Sequence, residues 1–179
     1  MNLKPPATLP ESNVALDEVL QTIQDQLATT ISWLGSNSLG RVKPQTVKGK
    51  LEPWIRRGQT SEYYRAYPND TLPAFSCLYA HDDEKYDGEL ITRTLSVIVW
   101  LNYKKASINS LELAKLNVRQ QLRELYCVLA VSGSKDQTVS GPAAIYPGFD
   151  VSGLEERYQT HPFAAFRMEC IVHWHDLCY

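Results

Sequence analysis

The sequence predicts an α+β fold: an antiparallel β-sheet with two amphipathic helices packed on one face and a long β-hairpin. Three patterns carry that reading. Leu16, Val19, Leu20, Ile23, Leu27, Ile31 and Leu34 recur at steps of three and four, which marks one face of a helix. Leu111, Ala114, Val118, Leu122, Leu125 and Leu129 do the same in a second segment. Residues 91–103 and 163–175 instead alternate with period two, as half-buried strands do.

Residues 1–13 carry Pro5, Pro6 and Pro10 and no apolar run. They read as a flexible arm, not a secretory leader, ahead of a single domain over 14–179. Ser12 or Asn13 is placed to cap the first helix, with Asp17 and Glu18 near its positive end. That helix is expected to run over 16–34 and stop at Gly35, with 35–40 as a loop.

Residues 46–55 read as an edge or bulged strand, because Gly49 and Pro53 interrupt it. An ordered loop follows over 56–70, holding Tyr63, Tyr64 and Tyr67. Residues 73–79 form a short strand, and 81–89 a charged turn with Asp87-Gly88 at its tip. With the strand over 91–103 these make the long hairpin. In it Leu95, Val97, Val99, Leu101 and Tyr103 share one face, opposite Thr94, Ser96, Ile98, Trp100 and Asn102.

Asn109 or Ser110 caps the second helix, expected over 111–131 and closed by Gly133. Residues 134–162 are rich in Gly and Pro and read as loop, with a short strand at 143–146. In the last strand Phe166, Met168, Cys170, Val172 and Trp174 face one way, and Arg167, Glu169, Ile171, His173 and His175 the other. There are no internal repeats.

Composition narrows function mainly by exclusion. The chain has 179 residues, 44% hydrophobic and 21% charged. At this size about 70% of the unfolded surface can be buried, so no staples are needed. A net charge of -2 and a pI near 6.1 give no general attraction to nucleic acid or anionic lipid. Cys77, Cys127, Cys170 and Cys178 form no C-x-x-C pair. The first three sit in apolar patterns and read as buried thiols in a reducing compartment. The apolar runs fall short of the ~20 residues a membrane helix needs, so no membrane association is expected.

Four groupings bear on chemistry. Cys170, His173, His175 and Cys178 have metal-like spacing, but Cys170 lies on the opposite strand face from both histidines. His173 and His175 with a third ligand would suit a metal-dependent hydrolase; a polar sheet face with no metal is preferred. The acidic turn, Asp82, Asp83, Glu84 and Asp87, lacks the ligand spacing of a calcium loop and reads as a solvated hairpin tip. Nucleophile elbows and phosphate loops are missing. Lys43, Lys48, Lys50, Arg56, Arg57 and Arg65 interleave with Trp54, Tyr63 and Tyr64. That mixture suits either single-stranded nucleic acid or a protein interface. The acidic net charge favours an interface built from Trp54, Arg56, Arg57, Tyr63, Tyr64, Arg65 and Tyr67. The chain's 10 tyrosines and 4 tryptophans fit that choice.

The element order resembles the tail-terminator proteins of long-tailed bacteriophages, small α+β proteins that cap the tail tube and join it to the head. The matching pieces are the helix over 16–34, Leu72-Pro73-Ala74 leading into a strand, the strand over 91–103, the helix over 111–131 and the strand over 166–174. The likeness spans about residues 14–176 and is architectural. It implies a non-enzymatic virion protein without cofactors, assembled as a ring of identical subunits, a hexamer. Its neighbours would be the tail tube protein and neck or connector proteins, and genomic DNA would pass through the ring without sequence-specific contacts. Assembly would take place in the host cytoplasm. Residues 36–70 and 134–162 are longer than in the leanest members, which leaves another neck or baseplate ring subunit open.

Overall fold

A computed structural model describes residues 14–56 and 63–175. The arm over 1–13, the Ser12 and Asn13 caps, Arg57 and Cys178 lie outside the described residues. The fold is α+β, with a mostly antiparallel eight-stranded sheet and two long helices.

Helix α1 spans Val14–Thr30. It stops one turn earlier than the apolar spacing suggests. The hydroxyls of Thr29 and Thr30 donate to the carbonyls of Asp25 and Gln26, at 2.7 and 2.6 Å. Such back-bonding competes for acceptors and weakens the last turn. Ile31 and Leu34 remain buried, in a turn leading to a short 3-10 segment at Gly35–Asn37.

The expected loop at 35–40 and interrupted strand at 46–55 are instead one β-hairpin, β1 (Ser38–Val47) and β2 (Lys50–Arg56). Lys48 and Gly49 both have positive φ, 51° and 77°, and form its two-residue turn. Gly49 is thus a turn residue and not a bulge. Pro44 and Pro53 face one another across the ladder, where neither can donate. Strand β3 (Tyr63–Arg65) adds to β2 inside the expected loop.

Strands β4 (Ala74–Ala80) and β6 (Leu90–Asn102) form the long antiparallel hairpin. Between them β5 (Lys85–Asp87) folds back on the start of β6, with Gly88 at φ 62° in its turn. Helix α2 spans Leu111–Arg123, with Ser110 as its cap accepting from the Leu113 amide at 3.3 Å. It ends well before Gly133, because 128–136 form strand β7 (Val128–Asp136). Register shifts between Val128 and Ala130 and between Val131 and Ser134 break the alternation of β7. That irregularity lets Leu129 fall at a helical spacing from Leu122 and Leu125. Two short helices, α3 (Gln137–Ser140) and α4 (Pro142–Ile145), replace the expected strand at 143–146. Pro142 starts α4, where a missing N–H costs nothing. Strand β8 (Phe163–His175) pairs with β6 from Leu90↔His175 to Asn102↔Phe163.

The strand order is β3-β2-β1-β4-β6-β8-β7, with β5 also on β6. Among the described residues all pairings are antiparallel except β1 with β4. One core lies under α1 and α2 and joins Leu16, Ile23, Leu27, Val118 and Leu122 to Val97, Val99, Phe166, Met168 and Val172. A second core lies on the other face, where 142–163 cover Phe75, Cys77, Ile98 and Trp100 with Tyr146, Phe149, Tyr158 and Phe163. The segment expected to be loop is therefore a cover, held by aromatic packing.

Candidate functional site

The β1–β2–β3 wing gathers Trp54, Arg56, Tyr63, Tyr64, Arg65 and Tyr67. Trp54 pairs with Arg65, Ile55 with Tyr64 and Arg56 with Tyr63. Arg65 donates through Nε and Nη2 to both oxygens of Glu52, at 2.7 and 3.1 Å, and its guanidinium lies 5.7 Å from the Trp54 ring centroid. The bond from Glu52 raises the Arg65 pKa. Tyr67 donates to the carbonyl of Asp150 at 2.8 Å and meets Tyr146 edge-on at 5.5 Å. Burial, with Glu52 nearby, pushes the Tyr67 phenol up to about 12. Tyr64 packs against the second core. Tyr67 thus fastens the wing to the cover. Lys50 completes the attachment at 2.8 Å from Asp150, and that bond holds the Asp150 carboxyl well below the usual range.

The acidic turn is organised by Arg93, which the sequence reading did not single out. Its side chain is 8% exposed. Nη2 lies 2.8 Å from Asp82, Nη1 3.3 Å from Glu84, and Nε donates to the His81 carbonyl. Asp83 accepts from the Thr94 amide at 3.0 Å and from the Thr94 hydroxyl. Burial opposes ionisation of Asp83, but the Thr94 bonds outweigh it and hold the carboxyl below its usual range. Asp87 sits exposed on β5. The signal was present: Arg93 is a charge on the apolar face of β6, between Ile91 and Leu95. A buried cation needs carboxylates, and the neighbouring turn holds several.

The C-terminal strand separates its would-be ligands. Cys170 is buried on the helix side, and burial pushes its thiol up to about 12. His173 and His175 lie on the other face with ring centroids 6.4 Å apart. His173 Nε2 is 2.8 Å from the Tyr126 carbonyl, so that nitrogen carries the proton. Among the described residues no group of three His, Cys, Asp or Glu side chains is placed to hold a metal. Cys77 is fully buried, and burial raises its thiol pKa, so it is poorly suited to act as a nucleophile.

Two surface features went unmarked by the sequence. Around β7, Tyr126 is 81% exposed, Leu129 55% and Ile171 44%. The β7 bulge opens a cavity of about 270 Å3 lined by Ser132, Gly133, Ser134, Lys135, Arg167 and Glu169. Comparison with protein-family models, curated proteins and solved structures returns no match. Function therefore has to be argued from these surfaces. No helix among the described residues is long and apolar enough to cross a membrane.

Proposed function

We propose that this chain is a structural ring subunit of a phage virion, a tail terminator that caps the tail tube and joins it to neck or connector proteins. The observation that carries the reading is the pair of unlike ends of one continuous sheet. One end is β3, beside Trp54, Arg56 and Tyr63; the other is β7, with Tyr126 and Leu129 exposed. A head-to-tail interface joins two different surfaces and closes into a ring when the rotation fits, here taken as a hexamer. Open edges that carry apolar side chains are a liability in a monomer, and burial by a neighbour removes it.

In such a ring the turn at Asp82, Asp83, Glu84 and Asp87 faces the channel or the adjoining ring. Its negative charge repels DNA phosphates, so the genome passes without adhering. Arg93 offsets one of those charges, and the turn stays negative.

Imaging of intact particles carrying a tagged copy of this protein tests the reading. The tag is expected at the tail–neck junction, and particles without it there would end the proposal. Replacing Tyr126 by Ala and Leu129 by Ser together should block incorporation into particles while changing monomer stability by less than about 0.5 kcal/mol, as surface changes do.

A further inference from the structure

The bulge of β7 creates a polar cavity that neither core fills. An extra residue between Val131 and Ser134 pushes the edge strand out of register with β8, and Gly133 brings no side chain into the gap. Beside the bulge, Lys135 stands directly across the ladder from Arg167. Like charges placed so destabilise a sheet unless a counter-charge lies between them. Glu169 supplies only one, at 3.2 Å from Arg167 Nη2, so the trio keeps a net positive charge.

Arg167 is 8% exposed, and its Nε–H has no acceptor among the described residues. An unsatisfied donor on a buried cation is costly. Lys135 Nζ has no ion-pair partner among the described residues. Ser132 donates to the Glu169 carbonyl at 3.0 Å, which fixes its hydroxyl at the rim and spends its proton. The other charge near this stretch, Asp136, is engaged by Lys115 at 2.9 Å.

We propose that this cavity binds a compact oxyanion, the phosphate or carboxylate group of a small ligand. Arg167 and Lys135, paired across the ladder on one face, supply both the charge and the donors. A guanidinium N–H to an anionic oxygen is a strong, geometrically selective bond. The cavity lies just below the usual 300–1,000 Å3 range of ligand pockets, which suits a small ligand.

The test is a titration of isotope-labelled full-length protein, followed through its amide resonances. One arm uses inorganic phosphate, a second glutarate, and a third chloride at matched ionic strength. Saturable shifts at Ser132, Gly133, Ser134 and Lys135 are expected with phosphate or glutarate, and the stronger arm names the ligand's anionic group. Lys135→Gln should weaken binding about threefold, and Glu169→Gln should tighten it by a similar factor by removing the internal competitor. Arg167→Gln should weaken it about tenfold. Because Arg167 is buried and its variant can misfold, the Lys135 and Glu169 variants decide the matter. Shifts that never saturate, that chloride reproduces, or that both of these variants leave unchanged would overturn the site.

Discussion

The two cores of this molecule are built in different ways. The helix-side core is aliphatic and periodic: two helical stripes meet the alternating faces of β6 and β8. The opposite core is aromatic and aperiodic, with Tyr146, Phe149, Tyr158 and Phe163 laid over Ile98 and Trp100 by a chain that is mostly turns. Regular elements bury apolar area by repetition. An irregular cover has no repeating face, so it relies on a few large side chains. Each of these fills much volume, and Tyr146 also satisfies a backbone group. The Tyr146 hydroxyl donates to the Ala66 carbonyl inside the second core and so ties the cover to the wing. Substitutions should therefore be felt more sharply in the second core.

The largest effect should come from Tyr146→Ala, at about 3–5 kcal/mol in chemical denaturation, because an aromatic ring and a buried hydrogen bond are lost together. Leu122→Ala on the helix side should cost about 2–4 kcal/mol, since the aliphatic neighbours can partly close the gap. A reversed order would mean that the cover is loosely packed and the contrast between the cores is wrong. Tyr146→Phe isolates the hydroxyl and should cost about 1 kcal/mol. No measurable loss would show that the Ala66 carbonyl finds another donor.

The smallest effect lies outside both cores, at Asp83. Its folded-state carboxyl titrates below the unfolded value, so its contribution to stability is complete above about pH 4 and falls away as the pH drops through the folded-state pKa. Asp83→Asn should lower the neutral-pH stability slightly, leave the value in strong acid nearly constant and so flatten the acid limb of the profile. An unchanged acid limb would detach Asp83 from Thr94.

The legibility of the fold followed the same divide. The helix stripes, the faces of β6 and β8, the long hairpin and the placement of both helices on one side were all readable, because each repeats a period set by backbone geometry. Three features were not. The β1–β2 hairpin was concealed by Lys48, a non-glycine residue with positive φ beside Gly49. Strand β7 was concealed by its bulges, which let Leu129 continue the spacing of a helix that had already ended. The cover was concealed because aromatic packing across a sheet leaves no local pattern. Of the surfaces, Trp54, Arg56, Tyr63, Tyr64 and Arg65 share the β2–β3 ladder, and Arg65 and Tyr67 have internal partners. The role of Arg93 could have been read from one charge on an apolar strand face. The pairing of Lys135 with Arg167 could not, since it depends on the register across a bulge.

The parallel pairing of β1 with β4 sets an order of events for the chain. Parallel neighbours cannot be joined by a tight turn, so the polypeptide must run through β2, β3 and the stretch up to Pro73 before Ser38 can meet Ser76. That meeting closes a long loop, while the β4–β6 hairpin forms from a much shorter one. The wing is thus expected to dock late in folding and to detach first from the native state as one cooperative unit. Hydrogen exchange would reveal it as weak protection shared by the amides of β1 and β2, with strong protection beginning at β4. Equal protection on both sides of the junction would instead mean that the sheet opens only as a whole.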